Sequence, residues 1–492
     1  MKTYITIHDG DNVAVALTNL AVGQVAGGVT LINSIPKGHK FALCAIAKGQ
    51  DVIKYGSPIG VATRGIAAGE HVHTHNVATK LGGQLSYSYY PSDNSLAPSS
   101  NSAKVMVYPR SNGQVGVRNE LWVIPLVGCV NSVADAIVNR FKQMQADLTG
   151  IDGVYAFSHP YGCSQLGEDH LRTRTLLQQM VKHPNCGGVL VLGLGCENNK
   201  MSDFIATLGN YDEQRVRFLV AQDVSDEVSA GAELLCQLYE VAKRDERQER
   251  NISCLRVGLK CGGSDGLSGI TANPLVGRFS DRLASLGGAT VLTEVPEMFG
   301  AEQSLMDRAA DKDVFDKIVT MVNDFKQYYA DNGQPCYENP SPGNKEGGIT
   351  TLEDKSLGCT QKSGSGSVND VVPCGSFVSC GGLNLTSGPG NDIVAVTNLA
   401  CCGCHLVLFT TGRGTPLGGF VPTVKISTNT ELAERKPSWI DYDAGQIVTG
   451  KSFSQATDEL TELVAQIASG KQTANERNGY RQIALFKTGV TL

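Results

Sequence analysis

The sequence predicts an α/β protein in which a small, β-rich N-terminal domain precedes a two-part α/β body. Three observations indicate this architecture. Short β-type runs separated by Gly and Pro turns fill roughly the first 85 residues. A segment rich in Ser, Pro and Asn then interrupts the apolar pattern. From Glu120 onward, apolar runs alternate with segments of helical period, which is typical of an α/β sheet.

The N-terminal domain is predicted over residues 1–85. Its β-type runs include residues 4–7, 28–32 and 52–55, each bounded by turn-forming residues. The segment SYSYYPSDNSLAPSSN, residues 86–101, lacks apolar periodicity and is interpreted as a linker.

A recurring unit defines the body. In each copy a short apolar run is followed by a turn of small residues that carries a reactive side chain, and then by a helical segment. Because ligands bind beyond the carboxyl ends of the strands in open α/β sheets, these turns are predicted to converge on one cleft. They follow the apolar runs at residues 121–127, 154–157, 189–194 and 255–259.

The body divides near residue 250, giving a second domain over 102–250 and a C-terminal α/β domain over 251–492. The charged stretch KRDERQER, residues 243–250, fits either a solvated joint or an exposed helix end. Further on, a Gly-rich polar segment at 339–366 precedes strands at 405–410 and 421–426, and a terminal helix stops near Gly470.

The composition excludes several classes of protein. Hydrophobic residues make up 41% and charged residues 18%, and no apolar run reaches the roughly 18 residues of a membrane span. A net charge of -6 argues against general binding to nucleic acid. The N-terminus lacks the apolar stretch of a signal peptide, and the fifteen cysteines lack the spacing of a disulfide framework. We therefore expect a cytoplasmic protein, and leave open whether it is a homo-oligomer.

Three histidines lie at alternate positions in GEHVHTHN, residues 69–76. In an extended segment His71, His73 and His75 share one face, and imidazoles this close suit a mid-row divalent metal. A polar strand edge or a surface turn is the alternative interpretation.

Cys129, Cys163, Cys196 and Cys261 each follow a predicted strand, but none belongs to a CxxC pair. The spacing therefore does not indicate a zinc ribbon or a local iron–sulfur loop. These cysteines can still converge on a metal in space, or simply serve as small residues at tight strand ends. His159, in SHPYGC, lies in a predicted turn and is a candidate for acid–base chemistry.

Carboxylates and guanidinium groups occupy other turns. Glu294 and Glu297 flank a predicted strand end, where they suit metal ligation or proton abstraction, although a charged loop would look the same. Arg118 and Asn119 precede the first strand of the body, and Arg413 lies in TGRGTPLGG. A guanidinium fork binds a carboxylate at two points, so the arginines are candidates for holding an acid.

The longest polar signature is NPSPGNKEGGITTLEDKSLG, residues 339–358. Its glycines and backbone donors suit a polyhydroxylated anion. A disordered surface loop is the alternative, which is disfavoured because two large apolar side chains would be stranded there. The polar candidates within it are Lys345, Thr350, Thr351 and Lys355.

Together these motifs resemble the altronate and galactarate dehydratases, hydro-lyases that share their architecture with a sulfolactate-cleaving enzyme. The resemblance covers essentially the whole chain and rests on long motifs. They are GEHVHTHN at 69–76, VGVRNELWVIPLVGCVN at 115–131, FSHPYGCSQLG at 157–167, GLGCEN at 193–198, CGGSDGLSGITANP at 261–274, TEVPEMFGAE at 293–302, NPSPGNKEGGITTLEDKSLGC at 339–359 and GRGTPLGGFVPTVKI at 412–426.

The resemblance implies an SAF-like N-terminal β domain, a two-part α/β catalytic body and a divalent metal, Fe²⁺ with Mn²⁺ as the alternative. The sequence of residues 117–131 resembles altronate dehydratase more than galactarate dehydratase, so we expect dehydration of D-altronate to 2-dehydro-3-deoxy-D-gluconate and water. Galactarate dehydratase is the alternative within the family, and a non-catalytic carbohydrate- or metal-binding protein is the alternative outside it. Cys401, Cys402 and Cys404 depart from the pattern and are interpreted as packing residues.

Loss of water from a 2,3-dihydroxy acid needs a base for the C2 proton, an acid for the leaving hydroxyl and positive charge for the enediolate. We expect His73 and His75, with Cys163 or Glu297, to hold the metal. His159, Lys355 and Glu297 are the expected catalytic residues. The expected substrate ligands are Arg118, Asn119, Ser264, Asp265, Lys345, Thr350, Thr351 and Arg413.

Overall fold

A computed structural model describes residues 2–92, 94–99 and 103–492. It confirms the predicted fold class, with a β-rich N-terminal domain and a body built on parallel sheets. Residues 93, 100 and 101 of the predicted linker, and residue 102 after it, lie outside the described residues. Among the helices that are described, none has the length and apolar character needed to cross a membrane.

Nine short strands form the N-terminal domain, because runs of two to six β-type residues alternate with tight turns. Strands 1, 2, 5 and 8 make one antiparallel sheet, strands 6, 7 and 9 a second, and strands 3 and 4 a hairpin. Side chains from both larger sheets, including Val13, Ala42 and Ile59, are buried between them. The strands are β1 (Tyr4–Ile5), β2 (Val13–Ala16), β3 (Val25–Ala26), β4 (Val29–Thr30), β5 (Lys40–Ala42), β6 (Asp51–Lys54), β7 (Ser57–Ala62), β8 (His71–Val72) and β9 (Val77–Ala78).

The described linker residues have no helix or strand and run along the C-terminal domain. Tyr87 donates its hydroxyl hydrogen to Glu302 at 2.6 Å, and Ser99 donates its backbone N–H to the Ser285 carbonyl at 2.9 Å. Ser92 also donates its hydroxyl hydrogen to the Asp307 carbonyl, so the linker is attached to the body at several separate points.

The second domain has a four-stranded parallel sheet in the order β13-β12-β14-β15, flanked by helices. A smaller antiparallel sheet, β11-β10-β16, adjoins it, so part of the charged stretch before residue 251 is a strand. The elements are β10 (Lys104–Pro109), β11 (Val115–Gly116), β12 (Glu120–Pro125), α1 (Asn131–Met144), β13 (Gly153–Ala156), α2 (Gly167–Val181), β14 (Cys186–Gly193), α3 (Met201–Leu208), β15 (Val216–Val220), α4 (Glu227–Ala242) and β16 (Gln248–Asn251).

The C-terminal domain is a seven-stranded parallel sheet in the order β19-β20-β18-β17-β21-β22-β23. Its central strands are buried on both faces, which explains their nearly continuous apolar sequence. The elements are β17 (Arg256–Cys261), α5 (Ala272–Ser285), β18 (Ala289–Leu292), α6 (Glu302–Met306), α7 (Lys312–Asp331), α8 (Pro342–Glu346), α9 (Leu352–Cys359), β19 (Val368–Val372), β20 (Gly382–Thr386), α10 (Asp392–Cys401), β21 (Leu406–Thr411), β22 (Thr423–Ser427), α11 (Thr430–Arg435), β23 (Tyr442–Asp443), α12 (Phe453–Ala468) and α13 (Ala474–Arg477).

The Gly-rich segment after residue 339 contains two short helices, α8 and α9, where the sequence predicts a loop. Ser341 caps α8 in a capping box with Asn344, and Thr351 caps α9 by accepting from the Asp354 N–H. These two caps start helices that are too short for helical periodicity to reveal. The segment between them contacts the N-terminal domain.

Candidate active site

A buried carboxylate joins the N-terminal domain to the body. Asp354, on α9, accepts hydrogen bonds from Lys40 Nζ at 2.8 Å and Lys54 Nζ at 2.9 Å, and Lys40 also donates to the Gly348 carbonyl at 2.7 Å. Burial would raise the pKa of Asp354, but the two ammonium groups hold it well below its usual range. The docking contact is therefore an ionised carboxylate between two lysines, shielded from water.

A second set of contacts fixes the same helix. Thr351 donates its hydroxyl hydrogen to the Ile59 carbonyl. Glu353 accepts from Thr79 Oγ1 at 2.9 Å and from the Lys80 N–H at 2.7 Å. Helix α9 thus begins against the small domain and continues into the body.

At its other end, α9 reaches a buried group of two thiols and a carboxylate. Cys261 ends β17, Glu297 follows β18, and Cys359 is the last residue of α9. Cys261 Sγ lies 3.3 Å and Cys359 Sγ 3.2 Å from Glu297 Oε2, and the two sulfurs are 3.4 Å apart. Among the described residues, these three offer ligand atoms that all lie within 4.8 Å of one another.

This donor set fits a mid-row divalent metal. Thiolates together with a carboxylate suit such ions, whereas Mg²⁺ and Ca²⁺ prefer oxygen ligands throughout. The hydrogen bond to Cys261 and burial raise the pKa of the Cys359 thiol well above its usual value. A bound cation would take the place of the thiol protons, since ligands bind deprotonated.

Lysines surround the thiol–carboxylate group. Lys355 Nζ lies 2.8 Å from Glu297 Oε1 and also donates to Asn339 Oδ1 at 3.0 Å and Asn344 Oδ1 at 3.2 Å. Lys362 Nζ donates to Cys261 Sγ at 2.8 Å. The positive charges stabilise anionic ligands in a site from which water is largely excluded.

The neighbouring charges shift the pKa values of Glu297 and Lys355 in opposite directions. Burial alone would raise the pKa of Glu297, but Lys355, Lys260 and Lys362 hold it well below its usual range. Burial opposes the charge on Lys355, yet Glu297 outweighs it and raises the pKa of that ammonium. Near neutral pH the pair is therefore a carboxylate facing a protonated amine.

A second ion cluster lies beside this pair. Lys260 hydrogen bonds to Glu294 and lies 2.9 Å from Asp392 Oδ1. Burial and the neighbouring Glu297 raise the pKa of Glu294, although Lys260 and Lys362 oppose the shift. Glu294 has a left-handed backbone, φ 71°, which turns the chain sharply after β18 and brings Glu297 to the sheet edge.

Four histidines of the N-terminal domain cluster where it meets the segment between α8 and α9. His39 Nδ1 lies 3.0 Å from His71 Nε2, and its Nε2 lies 3.1 Å from the Glu346 carbonyl. His73 Nδ1 lies 3.3 Å from Thr350 Oγ1. The His71 ring centroid is 5.7 Å from that of His73 and 5.4 Å from that of the exposed His75.

Burial and neighbouring positive charge keep His71 and His73 neutral. Desolvation, then the neighbouring His39, His75 and Lys40, lowers the pKa of His71 to about 4. Desolvation, then Lys40 and the other histidines, lowers the pKa of His73 to about 3. Neutral imidazoles can accept a proton or bind a cation.

Two spaces open at this interface. A cleft of about 310 Å³ lies between the small domain and the body, lined by Lys37, Asp265, Glu346 and Arg413 among others. A small enclosed space of about 10 Å³ is lined by Ser264, Asp265, Lys355 and Cys359, together with Lys54 and Tyr55 of the N-terminal domain. The larger cleft has the volume of a small-molecule site.

Most of the predicted residues of the C-terminal domain are brought to this region. Thr350 contacts His73, Arg413 pairs with Glu346 at 2.8 Å on the cleft rim, and Lys345 is half-buried on α8. Ser264 and Asp265 line the small space. Their neighbours in the predicted set are Glu297, Thr351 and Lys355.

Asp265 and Thr351 have largely structural contacts. Asp265 accepts from Thr428 Oγ1 at 2.9 Å, from Asn429 Nδ2 at 3.1 Å and from the Leu267 N–H at 3.1 Å. Thr351 is committed to capping α9 and to Ile59. Both organise the loops of the site, so direct contact with a ligand remains a prediction.

The structure does not bring His159 and Cys163 to this region. His159 is buried in the second domain, where Nε2 bonds the Pro125 carbonyl at 2.8 Å and Nδ1 accepts from the Tyr161 N–H at 3.2 Å. Both ring nitrogens are occupied, which leaves none for proton transfer. Cys163 follows β13 of the four-stranded sheet, so it belongs to the same domain, and its side chain is exposed. Among the described residues it does not form a ligand group with His73 and His75.

Arg118 and Asn119 have structural partners: Arg118 joins the second domain to the C-terminal domain, and Asn119 bonds within the second domain. Arg118 is buried and bonds both carboxylate oxygens of Glu476, at 2.7 Å and 2.9 Å, as well as backbone carbonyls. Asn119 Nδ2 donates to the carbonyls of Gly150 and Ala242. Their polar groups are used within the fold, so we do not place them in the candidate site.

Sequence reasoning missed His39 and Cys359, and it named Cys261 only as one of four cysteines that could converge on a metal. Lys355 and Cys359 are four residues apart on α9, a spacing that places two side chains on one helix face and could have revealed the pair. Nothing local marks His39, because it meets the other histidines through pairing of β5 with β8.

Comparisons with known proteins indicate the same family in all three domains. Family models match residues 2–80 (Altronate/galactarate dehydratase SAF domain), 107–243 (D-galactarate dehydratase/Altronate hydrolase, second domain) and 252–491 (D-galactarate/Altronate dehydratase, C-terminal). The SAF-like domain expected from the sequence is thereby confirmed.

Curated relatives match over nearly their full lengths. The chain is 59% identical to altronate dehydratase of Escherichia coli K12, over 99% of this chain and 100% of the relative. It is 51% identical to altronate dehydratase of Bacillus subtilis 168, over 100% of both chains. Identity to galactarate dehydratase (L-threo-forming) of Escherichia coli K12 is 33%, over 98% of this chain and 96% of the relative.

Proposed function

This chain belongs to the D-galactarate/altronate dehydratase family and is a hydro-lyase, and on that premise we propose that it dehydrates D-altronate to 2-dehydro-3-deoxy-D-gluconate. The substrate assignment is supported by identities of 59% and 51% to two altronate dehydratases, against 33% to a galactarate dehydratase. Galactarate is the second candidate substrate. The family assignment disfavours the non-catalytic alternative.

The observation that carries the chemistry is the pairing of Lys355 with Glu297 beside two buried thiols. We place the reacting centre at this sheet edge, beneath the docked N-terminal domain. Cys261, Glu297 and Cys359 would hold a divalent cation, Fe²⁺ or alternatively Mn²⁺. When bound, it supplies positive charge that stabilises an enediolate.

Lys355 is the proposed general acid. Its pKa is raised by Glu297, so the ammonium carries the proton that a departing hydroxyl needs. Its hydrogen bonds to Asn339 and Asn344 aim Nζ and hold it in place. Lys362, which donates to Cys261 Sγ, and Lys260, which pairs with Glu294, add fixed positive charge around Glu297.

The histidine cluster is the proposed proton acceptor. His73 is neutral near pH 7 and contacts Thr350, which immediately precedes the residue that caps α9. We assign this role to His73 and not to His159, because both ring nitrogens of His159 bond to backbone groups. Arg413 on the cleft rim is the proposed ligand of the substrate carboxylate, because its guanidinium is partly exposed and its partner Glu346 is more so.

A single assay tests the substrate. The purified chain is loaded anaerobically with Fe²⁺ and offered altronate, galactarate, mannonate and gluconate separately, with formation of the 2-keto-3-deoxy acid as the readout. The expected result is a kcat/KM for altronate at least about tenfold above each of the others, the discrimination that one buried hydrogen bond provides. A higher kcat/KM for galactarate would reverse the assignment, and no keto acid from any of them would refute dehydration.

Two further expectations accompany the function. A place in hexuronate catabolism follows from altronate as substrate. A cytoplasmic location is supported by the fifteen free cysteines, which suit a reducing compartment.

A further inference from the structure

Three cysteines outside the candidate active site lie on one edge of the second domain. Cys129 follows β12, Cys163 follows β13 and Cys196 follows β14, and these three parallel strands are adjacent in the order β13-β12-β14. The turns after them must therefore lie side by side at the carboxyl edge of the sheet. All three thiols are free and exposed.

Exposure makes this group unusual. Free cysteine is among the residue types that are most often buried. Five cysteines of this chain are exposed, and three of the five are on this edge; the other two are Cys44 and Cys380. Exposed cysteines without a shared role are not expected to lie together on three neighbouring turns.

The three turns are bonded to one another. The Gly128 N–H donates to the Tyr161 carbonyl at 2.8 Å, which joins the first turn to the second. The Asn199 N–H donates to the Gly162 carbonyl at 2.9 Å, and the Ser164 N–H donates to Asn198 Oδ1 at 2.9 Å, which join the second turn to the third. The thiols are thus presented by a single connected scaffold.

The residue before each cysteine is a glycine, and at the middle turn the reason is visible. Gly162 has φ 98°, and a Cβ there would lie 1.9 Å from the Leu126 carbonyl oxygen. Only glycine lets the turn that carries Cys163 approach the end of β12 so closely. His159 has its structural role here, since its two backbone bonds fix the same turn.

The spacing of the sulfurs argues against a single shared ion. Within the part of the chain that the structure describes, these three thiols do not form a group whose ligand atoms all lie within 4.8 Å, so at least one pair of sulfurs is farther apart. A single tetrahedral ion with metal–sulfur bonds of about 2.3 Å needs its sulfurs within about 4 Å of one another. A polynuclear cluster, in which each thiolate binds a different metal atom, accommodates sulfurs that are farther apart.

We propose that Cys129, Cys163 and Cys196 together bind an iron–sulfur cluster of the [4Fe–4S] class, leaving one iron without a protein ligand. Four cysteines usually hold such a cluster, one to each iron. Binding of a preformed cluster requires no oxidant or reductant: each thiol loses its proton, and its sulfur replaces a solution ligand on one iron. Ser164 Oγ, 3.8 Å from Cys163 Sγ, and Gln222 Nε2, 3.7 Å from Cys196 Sγ, are placed to donate to the thiolates.

The test is anaerobic reconstitution of the full chain with Fe³⁺, sulfide and a thiol reductant, which reduces part of the iron to give the mixed-valent cluster, followed by removal of unbound ions. The readouts are iron, acid-labile sulfide and the visible absorption of thiolate-bound iron. We expect about four labile sulfides per chain. In the triple variant C129S/C163S/C196S, labile sulfide should fall at least about tenfold. The matched control, C44S/C380S, removes the other two exposed thiols and should keep the full content.

Labile sulfide separates this site from the active-site metal, which would add iron without sulfide. Failure of the altronate assay with full sulfide content would refute the proposed function alone. Wild-type protein without labile sulfide, zinc in its place, or equal sulfide in the triple variant would overturn the cluster. If the triple variant does not fold, alkylation of the reconstituted wild-type chain decides: the cluster requires protection of Cys129, Cys163 and Cys196 while Cys44 and Cys380 react, and equal modification overturns it.

Discussion

Lys355 Nζ lies 2.8 Å from Glu297 Oε1, and both side chains are buried. This ion pair joins α9, which docks the N-terminal domain, to the turn after β18, which carries the proposed metal ligand. The pair lowers the pKa of Glu297 and raises the pKa of Lys355, so the carboxylate and the ammonium both persist near neutral pH.

Replacing Lys355 with Met should lower kcat by about a hundredfold to ten-thousandfold, because the leaving hydroxyl loses its proton donor. Keto-acid formation from altronate is the measurement. Lys312→Met, which removes an exposed lysine on α7, is the control and should keep wild-type kcat. A Lys355→Met enzyme with normal kcat and normal metal content would exclude Lys355 as the acid.

Asp354→Asn should destabilise the protein by about 3–5 kcal/mol, since Lys40 and Lys54 then lose the charge that compensates them. The folded pKa of Asp354 lies below its unfolded value of about 3.9, so its stabilisation is complete above that pH and is lost as the pH falls below it. Urea unfolding near pH 7 and at about pH 2.5 measures both effects. The variant should lose less stability than wild type on acidification, and equal losses would contradict the assignment.

His73→Ala should abolish turnover, because the proposed proton acceptor is removed. The folded pKa of His73 is about 3, below the unfolded value of about 6.5, so the unfolded chain binds more protons between these values. Wild-type stability should therefore fall as pH decreases from about 6.5, and His73→Gln should lessen that fall. Thermal melting at about pH 7 and pH 5 tests the second point. Near-normal activity with full metal content in His73→Ala would remove this histidine from the site.

The sequence predicted the layers of the fold better than the contents of the site. Periodicity and turn residues located the β-rich domain and the parallel strands, because those patterns are local. Lys355 and Glu297 were predicted individually, but their pairing depends on the register of α9 against β18. His159 looked like a turn residue open to a ligand; whether its ring nitrogens were free depended on the Pro125 carbonyl, 34 residues away.

Cys359→Ser should weaken Fe²⁺ binding at the active site by at least about tenfold, because it replaces one of three donors. Metal titration of the chelator-treated protein, followed by recovery of activity, measures the change. Cys402→Ser is the control, since this buried thiol packs on Thr386 and offers no ligand to the site. Equal affinities in Cys359→Ser and wild type would exclude Cys359 as a ligand.

Arg118 and Arg413 were both predicted to bind substrate, and their surroundings now predict opposite outcomes. Arg118 is buried against Glu476, so Arg118→Met should cost about 3 kcal/mol or more of stability while the KM of the folded enzyme stays unchanged. The Arg413 side chain is 45% exposed and pairs with Glu346 on the cleft, so Arg413→Met should raise KM at least about tenfold with little loss of stability. Urea unfolding together with KM for altronate separates the two roles. A raised KM with normal stability in Arg118→Met would return that residue to the site, because a guanidinium committed to the fold cannot be removed without loosening it.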